Sequence, residues 1–271
     1  MHENVLFWLL LCGHLAGDFY AQPQGLAERK RKKVRFLLLH CLIYSFSVLM
    51  FLLPVMNRDI LIVFVWISIS HCIIDFAKIK LYNFEKWILF IERYLFFIDQ
   101  IAHIAIIIVL AYLYAINDVT ALNGFGSIVL DIYENFQINI IPSVFIHFIF
   151  VFLMIGKPAN ILINEINKNS NSRTATLPDN ETMKEEQNIA SYQDAPAYQN
   201  TGKMIGILER MIIIMMLVLQ QYAAIGLVFA AKSISRYDKI AKDSSFAEYY
   251  LVGTLLSLLI CIFCILLIQP I

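Results

Sequence analysis

The 271-residue sequence has little charge: only 15% of it is Asp, Glu, Lys or Arg, against about 25% in a typical soluble domain. A surface wetted on all sides cannot be built from so few charges, which excludes most soluble folds. Hydrophobic residues make up 59% of the chain and mean hydropathy is +0.68, so the surrounding solvent is lipid. Net charge is absent as well. The 21 Lys and Arg balance 21 Asp and Glu, and only the distribution of charge is informative. With 20 Phe, 13 Tyr and long Ile/Leu runs, the sequence is no disordered chain, collagen-like repeat or disulfide-stapled secreted domain. Nucleotide signatures are missing too: there is no G-x-x-x-x-G-K-[ST] and no G-x-G-x-x-G after a strand. The five cysteines, Cys12, Cys41, Cys72, Cys261 and Cys264, are few, odd in number and set in apolar runs. They read as small apolar residues, including the pair that is C-x-x-C in form.

A bilayer core about 30 Å thick takes roughly 20 mostly apolar residues per helix. Candidate spans run over residues 5–20, 36–56, 60–77, 97–116, 138–155, 204–230 and 249–268, so the fold class is an all-α polytopic transmembrane bundle of six to seven spans. The first span carries His14 and Asp18 and lacks a basic n-region, so it reads as a retained helix rather than a signal peptide.

The stretch Glu28-Arg29-Lys30-Arg31-Lys32-Lys33-Val34-Arg35 has six basic residues in eight. The positive-inside rule places it in the cytoplasm, and it reads as a topology signal rather than a nucleic-acid site. The N-terminus is then outside, in an inner (plasma) membrane. The alternation holds through five spans, since 118–134 has acids and no Lys or Arg. Residues 157–203 are polar and read as a flexible cytoplasmic loop. It divides a four-helix module at 1–116, followed by an outer loop and fifth span at 117–156, from a C-terminal module at 204–271. One conflict stands: a full crossing by 204–230 puts Lys232, Arg236, Lys239 and Lys242 outside, unless that segment is broken or re-entrant.

Ionisable residues inside apolar runs are costly in lipid and mark functional positions. The first module carries His14, Asp18, His40, His71, Asp75, Lys78, Asp99 and His103. His14/Asp18, His71/Asp75 and Asp99/His103 are each i,i+4 pairs, one turn apart on one helix face. Given the orientation above, all four helices carry these residues toward the cytoplasmic side, which implies one convergent pocket. Imidazole and carboxylate are ligands for zinc, manganese or iron, and helices of a bundle hold metals at this spacing. His14, Asp18, His71, Asp75, Asp99 and His103 are therefore candidate ligands of a divalent metal. His40 is a ligand or general base, and Gln22 and Lys78 are candidate substrate contacts. The leading expectation is a metal-dependent hydrolase acting on a lipid-borne or interfacial substrate, or another small molecule reaching the pocket. A transporter or proton-coupled permease using the same residues as a relay is the alternative, as are His–Asp pairs that only glue helices in a scaffold or sensor.

The ordered set Gly13-His14-Leu15-Ala16-Gly17-Asp18-Phe19 with Gln22, His40, Ser70-His71-x-x-x-Asp75-x-x-Lys78 and Asp99-Gln100-x-x-His103 resembles the bacterial membrane-protein family catalogued as domain of unknown function 3307, over residues 5–116. Residues 202–210, 231–236 and 248–254 are similar to the C-terminal extension of many members. The resemblance implies a fold and a site, and no reaction. More loosely, the His/Asp-bearing helices look like those of membrane-bound metal-dependent hydrolases. In the second module Glu209 and Arg210 read as an interfacial ion pair or anchor, with a lipid-headgroup surface as the sharper alternative. His147 reads as a buried structural histidine. Gly253, Ser257 and the Gly202/Gly206 spacing suggest close helix packing.

Overall fold

The computed structural model describes residues 4–22, 30, 33–82, 88–115, 142–171 and 196–268, and within these the side chains of 82, 88–93, 115, 142–143, 168–171 and 196–201 lie outside the described set. No strand occurs among the described residues. Helix α1 (Val5–Leu15) is capped by the Asn4 side chain, which accepts from the Phe7 amide at 3.3 Å, and runs on into a π turn over Ala16–Tyr20. Helix α2 (Val34–Leu52) tightens into a short 3₁₀ turn at Leu53–Val55, where Pro54 removes a donor. Helix α3 (Arg58–Tyr82) starts where the Asn57 carboxamide oxygen accepts from the Ile60 amide at 2.9 Å. Helix α4 covers Ile88–Ala115, and α5 (Pro142–Ile155) opens on a proline, which the first turn tolerates. Then follow α6 (Lys157–Asn171), α7 (Pro196–Val218), α8 (Tyr222–Ile234), the short α9 (Tyr237–Lys242) and α10 (Ser244–Ile268).

Among the described residues, five helical stretches are long and apolar enough to cross a bilayer: Val34–Val55, Arg58–Leu81, Tyr94–Tyr114, Val144–Asn167 and Ser244–Ile268. Val5–Tyr20 and Tyr222–Ile234 are shorter apolar helices. The segment 157–203, read from sequence as a loop, begins instead as helix α6. Its polar side chains do not forbid a helix, because one face is apolar and packs on α10. Residues 172–195 and the outer loop at 118–134 lie outside the described residues.

The chain divides into two compact units, 1–153 and 154–271. In the first, α1 packs on α2, α2 on α3, α3 on α4, and α4 closes back on α1. This bundle is apolar outside as well as in most of its core. Leu42, Phe46, Ile73 and Ile101 are each more than 60% exposed, while His14, His40, His71, Asp75, Asp99 and His103 are buried. An apolar exterior with the ionisable residues turned to the bundle interior is what lipid solvation selects. Two glycines set how closely α1 lies on α2. A Cβ on Gly13 would stand 2.9 Å from the Val48 Cα, and one on Gly17 would stand 2.9 Å from the Tyr44 Cδ2. By contrast, Gly202 has nothing within 4 Å and Gly206 meets only side-chain ends, the nearest at 3.4 Å. The close small-residue packing expected at Gly202/Gly206 is thus found at Gly13/Gly17.

The second unit settles the conflict over 204–230. The segment breaks at Leu219–Gln221, with Gln220 at φ 57°, and α8 folds back along α7. Ile225 packs against Ile213, and the Lys232 ammonium reaches Glu209 at 2.6 Å. The segment is therefore a helical hairpin rather than one continuous helix, and it returns the basic residues 232–242 to the end where Lys203 stands. Arg210 is fully buried beside it. Its guanidinium donates to the Ile155 carbonyl at 2.7 Å and the Asn160 carboxamide oxygen at 2.6 Å. Ile155 ends α5, so Arg210 satisfies a carbonyl that the helix leaves open. Arg210→Leu strands these acceptors and should lower stability by about 3 kcal/mol, read as a drop in the midpoint of thermal unfolding in detergent.

Candidate metal centre

Helices α1 to α4 of the first unit meet at one end of the bundle: the C-terminal parts of α1 and α3 and the N-terminal parts of α2 and α4. The three i,i+4 pairs lie within reach of one another on their own helices, at 3.9 Å for His14/Asp18, 4.0 Å for His71/Asp75 and 3.6 Å for Asp99/His103. Contacts between helices are in most cases shorter. The His40 Nε2 stands 3.2 Å from the His71 Nε2, 3.3 Å from the Asp18 Oδ1 and 3.3 Å from the Asp75 Oδ2. The Asp18 Oδ1 is also 3.5 Å from the His71 Nε2. His40, on the helix with no carboxylate partner of its own, is the hub.

The π turn explains how Asp18 reaches that hub. Its wider 5-residue loop, closed by the Ala21 amide on the Ala16 carbonyl at 2.8 Å, turns Asp18 away from a strict α-helical register. Its Oδ1 then lies nearer to His40 and His71 than its Oδ2 does to His14, one turn back. Such insertions in a helix occur frequently at functional sites.

One imidazole nitrogen offers one proton or one lone pair, so the His40 Nε2 can satisfy only one of its three close neighbours by hydrogen bonding. The crowding suits a cation at the centre. Four ligands about 2.0–2.1 Å from a zinc ion at tetrahedral angles stand about 3.3 Å apart. The separations within His40, His71 and Asp18 run from 3.2 to 3.5 Å, and the Asp75 Oδ2 adds contacts at 3.3 Å to His40 and 4.0 Å to His71. Among the described residues three neighbouring groups could hold an ion: Asp18/His40/His71, His14/His71/His103 and Asp75/Asp99/His103. Asp18 sharpens the case. It is 10% exposed, and among the described residues its ion-pair partners within 4.0 Å are the imidazoles of His14, His40 and His71. A buried carboxylate without a formal positive partner is expensive.

The other two carboxylates have lysines. Lys78 donates to the Asp99 Oδ2 at 2.7 Å, and Lys30, from the basic run, donates to the Asp75 Oδ2 at 2.9 Å. Gln22 sits half-buried with its Nε2 unpartnered among the described residues. Three contributors have no site role in the sequence, although Gln100 stands in its Asp99-Gln100-x-x-His103 motif. Gln100 bridges α4 to α1, with its Oε1 3.4 Å from the His14 Nε2 and its Nε2 donating to Asp99 at 3.2 Å. Tyr44 lies flat on the His71 ring, centroids 3.5 Å apart and planes 4° from parallel. Lys30 is the third. His147 is elsewhere in the unit, edge-on to Trp8 at 4.6 Å, and belongs to none of the three groups.

Away from this end the bundle interior is apolar: Leu6 and Leu10 of α1, Val48 and Leu52 of α2, Ile60 and Val63 of α3, and Ile107 and Leu110 of α4 are buried. The site is thus a polar pocket at one end of an apolar bundle.

The same stretch of chain matches a family model, described as a protein of unknown function (DUF3307), over residues 6–128. Residues 6–128 form a DUF3307 domain. All of the His and Asp residues of the pocket lie in this DUF3307 domain, whereas the second unit lies beyond the match. No curated protein and no solved structure matches the chain.

Proposed function

We propose that the DUF3307 domain binds a divalent metal through His40, His71, Asp18 and Asp75 and uses it to hydrolyse a lipid-borne or interfacial substrate. The observation that carries this reading is the His40 Nε2, ringed at 3.2–3.3 Å by one imidazole and two carboxylates. When bound, such an ion supplies Lewis acidity and makes a water molecule acidic enough to serve as a nucleophile near neutral pH. The chain's own groups do the rest. Tyr44 fixes the plane of His71, and Gln100 ties His14 to Asp99. His103 stacks on His71 at 4.5 Å and, with Asp99, offers the nearest imidazole–carboxylate pair for proton transfer. Lys78 and Lys30, 25% and 13% exposed, stand at the rim, where an ammonium can meet an anionic group of the substrate. The positive-inside rule puts this end of the bundle in the cytoplasm. The apolar layer from Leu6 to Leu110 closes the opposite end, which favours a pocket over a path across the membrane.

The test is turnover. The full chain in mixed micelles is offered ester, phosphoester and amide lipids after metal stripping and again after reloading with zinc or manganese. Hydrolysis of one class should appear only on reloading, and Asp18→Asn should abolish it. If stripped protein in proteoliposomes instead carries a proton or solute flux that Asp75→Asn removes, the pocket is a relay and the hydrolase reading is wrong.

A further inference from the structure

The second unit holds a cavity of about 1130 Å³ at the basic end of the α7–α8 hairpin. Its walls carry Lys203, Arg236, Lys239 and Lys242. The negative charge beside them is already engaged. Glu209 pairs with Lys232 at 2.6 Å, and the Asp243 carboxylate caps α10 by accepting from the Phe246 amide at 2.9 Å. Arg210 is turned inward onto Ile155 and Asn160. Four cations thus face the cavity with one capping acid among them. A second observation points the same way. Asn167 lines the cavity and is 3% exposed, yet its Nδ2 has no acceptor among the described residues. The Tyr250 hydroxyl, also in the wall, is buried and likewise without a hydrogen-bond partner among the described residues. Buried donors without acceptors beside cations without anions call for a ligand rich in acceptor oxygens and negative charge, and a phosphate group is that ligand.

We infer that this cavity binds the phosphate headgroup of an anionic lipid. The lipid source follows from what flanks it. The shafts of α8 and α10 below are apolar and exposed, with Leu227 at 71% and Leu259 at 63%. Tyr237 and Tyr249, both exposed, lie beside the cationic end, as tyrosines do at the membrane interface. A phosphate held by Arg236, Lys239 and Lys242 would let its acyl chains run along those helices. Juxtamembrane cations of this kind attract anionic headgroups. This site rests on the second unit alone and does not depend on a metal in the first.

Native mass spectrometry of the full chain, released from mixed phosphatidylcholine and phosphatidic acid membranes, reads the retained lipid. Wild type should keep phosphatidic acid in preference to phosphatidylcholine. R236Q/K239Q/K242Q should lose that preference by at least about tenfold, since each cation near the surface contributes severalfold. K33Q/R35Q/K80Q, which removes the same charge from exposed positions of the first unit, should keep it and shows whether charge alone matters. No preference in wild type, or equal loss in both triple variants, overturns the inference. Displacement of the lipid by inorganic phosphate at constant ionic strength also overturns it, in favour of a soluble phosphate site.

Discussion

His40→Ala should lower the affinity for a divalent metal by more than about 100-fold, measured by competition against a chromophoric chelator in detergent. Loss of a residue that only orients a ligand costs about 10–100-fold, and His40 is a proposed ligand that contacts the other three with one nitrogen. Without it, His71 and Asp18 remain 3.5 Å apart, but they and Asp75 define an open site with nothing from α2. The same substitution should also lower stability by about 1–3 kcal/mol, because it removes a fully buried ring and leaves Asp18 and Asp75 with one imidazole fewer. His147→Ala, outside the three groups, should leave metal affinity unchanged while loosening the contact with Trp8. If His40→Ala unfolds the protein in the absence of metal yet leaves metal affinity intact, the cluster is helix glue and the ligand reading fails.

Gly13→Ala should weaken the same site from outside it. The added Cβ would meet the Val48 Cα at 2.9 Å, and a backbone atom cannot swing aside. Helices α1 and α2 must then separate. Overpacking of this kind costs about 1–3 kcal/mol, so the midpoint of thermal unfolding should fall. Because His14 follows Gly13 and Asp18 follows Gly17, separation also draws α1 ligands away from His40. Metal affinity should drop by about tenfold or more, since each 1.4 kcal/mol is tenfold. Gly17→Ala should act by a second route, pressing on Tyr44 at 2.9 Å and through it on the stacked His71 ring. Gly202→Ala is the control, with nothing within 4 Å of its Cβ position. It should change neither quantity.

These two sets of residues show which parts of the molecule are written in the sequence. His and Asp at i,i+4 inside lipid-facing runs are legible because the bilayer makes each of them costly, and their depth follows from the order of spans. Their meeting in one pocket at one end of the bundle follows from that. The closeness of the helices is not legible. Gly13/Gly17 and Gly202/Gly206 have the same spacing, and only the partner helix decides which pair is compressed. Tyr44 is one aromatic among many in an aromatic-rich chain, with no local feature to single it out. Lys30 sits in a run whose other residues are accounted for by topology, which hides the one that turns inward to Asp75. The hairpin at 204–234 was foreshadowed by the positive residues after it, which a single crossing would place on the wrong side. The two Gln residues at 220 and 221 mark where the chain turns, but a polar pair in an apolar run is equally compatible with a crossing. The start of α6 at Lys157 was obscured because its composition is polar, while its apolar stripe becomes meaningful only against α10.

The central claim is that the end of the first bundle is a metal site. Its most direct test is the metal content of the full chain purified without chelators, by inductively coupled plasma mass spectrometry, with Asp18→Asn prepared alongside. Wild type should carry a divalent transition metal in a whole-number ratio to protein, before or after reconstitution with zinc, and Asp18→Asn should carry far less at the same yield. Wild type that holds no stoichiometric metal even after reconstitution would contradict the account, and the imidazoles and carboxylates around His40 would then have to be explained by hydrogen bonding alone.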